Sequence, residues 1–334
     1  MFKLFNSEYK NNCLIIKILG IKMTFRIKFL DLIDNRKTEM LKQIENSFDS
    51  LNATINDTRK QYENIDTLKK ITPNPNLQFS IDIVDHCNLN CKGCDHFCPI
   101  TEEKFLSIEQ YEKDIKQLTK LCGNGELIKL VCLEGGEPLL HPEINKFMEI
   151  TRKYCPNSKI DLMTNAILLP NMNEEFYSTC SKYDITIAIT KYPLKIDFEK
   201  IHLMAKKYNV KLFYFNDFDK REKTSWKIPF DINGTQDVSK NFLKCYMANN
   251  CITLRNGKLY TCSSRAYADR FNNYFNQNLQ LSKFDELSIY DAESFQEIIT
   301  FLARPIPFCK YCNIDGRKDL GKFELSKKEM SEWV

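Results

Sequence analysis

From residue 77 onward, short apolar runs alternate with amphipathic helical stretches, and this alternation restricts the fold more than any other feature of the chain. Runs at 79–84, 128–133, 159–164, 185–190 and 210–215 read as strands, and stretches at 107–122, 142–154, 174–183 and 197–208 as the helices between them. Repeated βα units imply a parallel sheet with crossover helices, since parallel neighbours need a long connection that packs back over the sheet. In barrels of this kind the chemistry sits at the C-terminal ends of the strands. Chemistry-bearing residues fall there: Cys87 after the first strand, Gly135 after the second, Thr164 and Asn165 after the third, Thr190 after the fourth.

The run Cys87-Asn88-Leu89-Asn90-Cys91-Lys92-Gly93-Cys94 packs three thiols into eight residues on a strand-to-helix loop. Three thiolates can hold three corners of a metal cluster and leave the fourth open to another ligand. A structural zinc site instead closes with four protein ligands. Cys98, four residues past Cys94, could close such a site, so zinc stays open as the alternative. Zinc modules usually pair two short clusters across a small domain, whereas this loop opens a series of βα units.

With Glu134-Gly135-Gly136-Glu137-Pro138 at the end of the next strand, the cysteine run resembles the radical S-adenosylmethionine (SAM) superfamily over roughly residues 77–231. The resemblance implies a partial (β/α) TIM-like barrel holding a 4Fe-4S cluster on Cys87, Cys91 and Cys94. SAM would be chelated to the open iron, with Gly135, Gly136, Glu137 and Pro138 as its neighbours and Thr164, Asn165 and Thr190 as further contacts. It also implies reductive cleavage of SAM to a 5′-deoxyadenosyl radical that abstracts hydrogen from a substrate, with flavodoxin or ferredoxin as the reductant. One departure stands out: the residue before the third cysteine is usually aromatic in that family, and here it is Gly93.

Fourteen cysteines in 334 residues would form a dense disulfide framework in a small secreted domain, but 43% hydrophobic residues in a chain this long need no such staples. No signal-peptide pattern opens the sequence, and Lys17 and Lys22 interrupt its first apolar stretch. A reducing, cytoplasmic setting follows, with Cys13, Cys122, Cys132, Cys155 and Cys180 as buried thiols. The net charge of +4 is concentrated in residues 1–28, which carry +5, so no broad basic face for nucleic acid is expected.

A second cysteine group occupies the last hundred residues. Cys245 and Cys262 flank a hairpin turning at Asn256-Gly257, and Cys309-Lys310-Tyr311-Cys312 returns after a helical segment. A hairpin pair and a distant Cys-x-x-Cys can converge on four thiolates for one cluster, and spacing alone does not separate zinc from iron. The arrangement resembles the truncated, single-cluster form of the SPASM domain, the twitch domain, implying a second, auxiliary 4Fe-4S cluster on Cys245, Cys262, Cys309 and Cys312. Cys251 is a surplus thiol that could replace Cys245.

Ahead of the core, residues 1–29 read as a β-hairpin and 30–71 as a long helix. Leu41, Ile44, Phe48, Leu51, Ile55, Thr58, Tyr62 and Ile65 recur in steps of three and four, so residues 41–68 suit either a self-associating coiled coil or a helix packed on the barrel. The cationic face of residues 1–28 offers anionic lipid as an alternative partner. Thr72-Pro-Asn-Pro-Asn76 marks the boundary to a core at 77–235, followed by an α+β auxiliary domain at 240–318 and a tail at 319–334. The function expected is oxidation or epimerisation of a sugar, polyol or nucleotide-sugar in surface-glycan biosynthesis. A peptide maturase is the alternative, and a zinc-binding coiled-coil scaffold a distant third. Arg265 is the one candidate for a catalytic base. His86 and His96, which flank the cysteine loop, are expected to tune its hydrogen bonding.

Overall fold

A computed structural model describes residues 5–10, 13–18, 21–26, 34–215 and 224–334. The chain divides into two compact units, Met1–Leu68 and Lys69–Val334. In the first, β1 (Phe5–Lys10), β2 (Cys13–Ile18) and β3 (Ile21–Arg26) form an antiparallel sheet. β2 and β3 are the expected hairpin, with Ile18 opposite Ile21, and β1 adds a third strand. Residues 27–29 of that hairpin and 30–33 of the expected helix lie outside the described residues. Helix α1 runs from Asp34 to Ile71. On its apolar stripe Leu51 and Ile65 are 49% and 48% exposed, while Ile44, Phe48 and Ile55 are half-buried; the side chains of Leu41 and Tyr62 lie outside the described residues. Among the described residues no helix is long and apolar enough to cross a membrane.

The second unit is built on five parallel strands in sequence order: β4 (Leu77–Val84), β5 (Ile128–Gly135), β6 (Lys159–Thr164), β7 (Ile185–Ile189) and β8 (Lys211–Tyr214). β7 is buried at every position, as expected of a parallel strand covered on both faces. Between the strands run α2 (Ile108–Leu121), α3 (Ile144–Tyr154), α4 (Glu174–Lys182) and α5 (Phe198–Tyr208). Ser107, Asn173 and Asp197 start three of them, each side-chain oxygen accepting from a first-turn amide.

The remaining elements are β9 (Thr224–Lys227), α6 (Val238–Lys244), β10 (Thr253–Arg255), β11 (Lys258–Tyr260), α7 (Ser263–Ala266), α8 (Ala268–Phe275), β12 (Leu287–Ser288), α9 (Phe295–Leu302) and β13 (Lys318–Lys322). Asn256 and Gly257 turn the β10–β11 hairpin with φ of 52° and 69°, the left-handed values a two-residue turn requires. The hairpin continues the main sheet: β10 pairs in parallel with β4, giving an open eight-stranded order β12-β11-β10-β4-β5-β6-β7-β8. The architecture is α/β, with a mostly parallel, partial-barrel sheet. A second apolar core, which includes Phe97, Phe230, Tyr267, Phe271, Phe308 and Trp333, joins the cysteine loop to the auxiliary region. Residues 319–334 are built into this unit, with β13 paired to β9 and Trp333 only 4% exposed.

Candidate active site

At the C-terminal ends of β4 and β5 two loops clasp each other. The Gly136 amide donates to the Val84 carbonyl at 2.7 Å and the Glu137 amide to the His86 carbonyl at 3.1 Å. This places Cys87, Cys91 and Cys94 on one wall of a cavity of about 270 Å³, with Glu134, Gly135 and Gly136 on another and Thr164, Asn165, Thr190 and Tyr192 nearby. The loop holds its shape through tight turns, with Asn90, Gly93 and Phe97 all at positive φ and the Cys94 amide donating to the Cys91 carbonyl at 3.3 Å.

Each thiol has its own surroundings. The Leu89 amide and the Asn165 side-chain amide donate to Cys87 Sγ at 3.4 and 3.7 Å, yet burial pushes this thiol up to about 12. Cys91 Sγ lies 3.5 Å from the Tyr192 hydroxyl. A hydrogen bond with the Cys98 thiol draws Cys94 down to about 6. Cys98 therefore stands beside Cys94, on the same cavity, as that thiol's buried partner.

The expected SAM-contacting residues divide into two sets. Gly135, Gly136, Thr164, Asn165 and Thr190 line the cavity. Glu137 is fully buried, and its carboxylate accepts from the Thr164 hydroxyl (2.7 Å), the Asn165 amide (2.9 Å) and the Leu139 amide (3.1 Å). It ties the ends of β5 and β6 together beneath the cavity, and Pro138 is buried behind it at the start of a short 3-10 turn. Burial outweighs these three donors and raises the Glu137 carboxyl to about 7. Arg265 is spent elsewhere: Nη2 donates to Glu286 at 3.0 Å, Nε faces Asp285 at 3.4 Å, and it is Ser264 that reaches the cavity.

One feature was not legible in the sequence. Asp82 of β4, His96 of the cysteine loop and Glu134 of β5 bring their polar atoms within 4.8 Å of one another. His96 Nδ1 is 3.3 Å from Asp82 and Nε2 is 3.8 Å from Glu134, and the ring stacks on Tyr267 at 4.6 Å. The Tyr267 hydroxyl donates to Asp82 at 2.6 Å, and Arg270 reaches both Asp85 (2.7 Å) and the His96 carbonyl (2.7 Å). Burial opposes charge on His96, but the Asp82 carboxylate outweighs it and holds the imidazole well above its ordinary range. Burial raises Glu134 to about 7, partly offset by the His96 charge. Glu134 and Asp95 are the carboxylates facing the cavity. His86, by contrast, accepts from the Lys104 amide at 3.3 Å and packs edge-on to Phe105.

The second cysteine group also assembles. Burial and the adjacent thiols of Cys262, Cys309 and Cys245 raise Cys312, and burial with the thiols of Cys245, Cys309 and Cys251 raises Cys262. The side-chain amide of Asn241, one turn before Cys245 on α6, donates to the carbonyls of Cys309 and Cys312. Burial raises Cys251 to about 12, with Asp95, Glu134 and Cys245 adding to it, so this thiol stays near the second cysteine group. Among the described residues, no three cysteine sulfurs lie within 4.8 Å of one another.

No protein-family model matches the chain. GTP 3′,8-cyclase of Sulfurovum sp. (strain NBC37-1) is 29% identical over 93 residues, 27% of this chain and 27% of that protein. The chain thus matches about a quarter of that relative's length. GTP 3′,8-cyclase of Aliarcobacter butzleri (strain RM4018) is 24% identical over 264 residues, 75% of this chain and 72% of that protein. Among solved structures, BtrN in complex with AdoMet and 2-DOIA aligns over 77% of this chain and 97% of its own, at 17% identity and a TM-score of 0.44.

Proposed function

We propose that the chain is a radical SAM superfamily protein that oxidises or epimerises a hydroxyl-bearing small molecule: a sugar, polyol or nucleotide-sugar of surface-glycan biosynthesis. The observation that carries this reading is the convergence of three thiols and the Glu134 carboxylate on one cavity. The donor set fits a 4Fe-4S cluster on Cys87, Cys91 and Cys94, because three thiolates leave one iron for SAM. Cys245, Cys262, Cys309 and Cys312 suit a second cluster. When bound, the first cluster and SAM supply one-electron cleavage and hydrogen-atom abstraction. The residues of the chain do the rest. Gly135 and Gly136 bring bare backbone to the cavity, Glu137 holds the β5 and β6 ends in place, and Tyr192 and Asn165 orient Cys91 and Cys87. Glu134 stands where a substrate hydroxyl can hand its proton to a carboxylate oxygen.

The test is production of 5′-deoxyadenosine from SAM under dithionite or reduced flavodoxin, followed by turnover of candidate polyols and nucleotide-sugars. Cleavage without turnover of any hydroxylated substrate, but with modification of a peptide, would overturn the substrate assignment. A pH profile tests Glu134. A carboxyl raised to about 7 is a base only above that value, so turnover should rise with pH through about 7. Glu134→Gln should remove this limb and lower the plateau rate by about a hundredfold; an unchanged profile would rule Glu134 out as the proton acceptor. The same displacement sets the stability sign. The Glu134 and Glu137 contributions are complete below the ordinary glutamate range and are lost as pH rises through about 7.

A further inference from the structure

We infer that residues 323–334 are a positioning element for the three-thiol loop, holding it closed from outside and taking the space that a side chain at position 93 would fill. The inference rests on the cluster assignment above and adds a part to it. The contacts follow the loop residue by residue. The Ser326 amide donates to the Asn90 carbonyl (2.9 Å), Leu325 forms a β-bridge with Cys91, and the Lys92 amide donates to the Glu324 carbonyl (3.0 Å). Trp333 Nε1 donates to the Cys94 carbonyl (2.8 Å). Backbone polar groups beside two of the three thiols are thus satisfied by a segment more than 230 residues away in sequence.

The segment is itself anchored. Lys227, nearly buried, donates through Nζ to the main-chain oxygens of Ser331 (2.5 Å) and Val334 (2.9 Å), and the Phe230 amide donates to the Trp333 carbonyl at 2.7 Å. Gly93 explains why the loop can accept this cover. Its φ is +64°, and a Cβ there would stand 3.0 Å from Leu320 Cδ1 and 3.3 Å from the Glu332 carbonyl oxygen. The glycine lets the segment sit flat on the loop, and Trp333 then completes the cavity wall beside Cys94 and Phe97.

The closing experiment uses variants on both sides of the contact. Trp333→Phe removes the donor to Cys94 and keeps an aromatic ring, while Gly93→Ala presses on the segment from the loop. In the reconstituted protein, both should release iron from the first site to a ferrous chelator about fivefold faster or more, the equivalent of losing one hydrogen bond. The reduced first cluster should show altered EPR g-values with the second cluster unchanged, and the Trp333→Phe Tm should fall by no more than about 4 °C, the loss of about one hydrogen bond. In the metal-free full chain, iodoacetamide should alkylate Cys91 and Cys94 faster by a similar factor, with Cys309 unaffected. Uniform acceleration at both sites would mean general loosening, and no acceleration would mean an idle contact; either overturns the inference. If the wild type takes up no iron at Cys87, Cys91 and Cys94, the cluster assignment fails, yet the alkylation ratio still decides whether the segment shields the loop.

Discussion

Alanine at Cys87, Cys91 and Cys94 together should reduce 5′-deoxyadenosine formation to the level of a protein-free control and lower the iron content from about eight to about four per chain. The expectation follows from how the cavity is built. These three sulfurs are the metal ligands we propose for it, each with a different neighbour: Asn165 and Leu89 at Cys87, Tyr192 at Cys91, Cys98 at Cys94. Cys245, Cys262 and Cys309 lie around Cys312, outside this cavity, and the second cluster we propose on these four thiols should be kept. Cys98→Ala separates this account from a four-thiolate zinc site. Cys98 is buried and partners the Cys94 thiol, so its loss should leave iron content near wild type and slow SAM cleavage by no more than about fivefold. Loss of all metal from Cys98→Ala would make it a ligand.

Gly136→Ala should be as damaging to the site as the triple cysteine change, although it removes no functional group. A Cβ on Gly136 would overlap the His86 carbonyl and stand 2.8 Å from the Cys87 amide nitrogen. No flexible side chain can move aside, since the obstacle is the backbone that launches the cysteine loop. The cost should exceed the roughly 1–3 kcal/mol typical of an overpacked core, lowering the Tm by about 5 °C or more. The two loops would have to part at the Glu137–His86 hydrogen bond, moving Cys87 away from the facing wall that carries Gly135. The variant should therefore fail to bind SAM even where it retains iron. A Gly136→Ala protein with wild-type Tm and SAM affinity would mean that the clasp between the loops is not needed.

The parallel core was legible because each strand carries a short apolar run, unbroken in the fully buried β7 and alternating in β4, and because Ser107, Asn173 and Asp197 cap their helices in the expected places. β1 was missed because Asn6, Ser7, Glu8 and Lys10 carry no alternation. β13 was missed because Lys-Asp-Leu-Gly-Lys is polar and largely exposed, and β9 because Thr-Ser-Trp-Lys is too short to show a period. The thiols and the glycine pair stood out because three cysteines in eight residues and a glycine pair at a strand end are patterns that few roles explain. What lay beyond sequence was assembly across distant elements. The β10–β4 pairing, the Asp82–His96–Glu134 group and the contact of residues 323–334 with the cysteine loop each join segments that no local pattern connects. The inward turn of Glu137 likewise depends on where β6 ends, which the Glu-Gly-Gly-Glu-Pro motif does not encode.

The most direct test of the account is the iron, sulfide and zinc content per chain after anaerobic reconstitution. The account predicts about eight irons, about eight sulfides and no stoichiometric zinc, from one cluster on Cys87, Cys91 and Cys94 and a second on Cys245, Cys262, Cys309 and Cys312. One or two zinc ions per chain with no iron would contradict it.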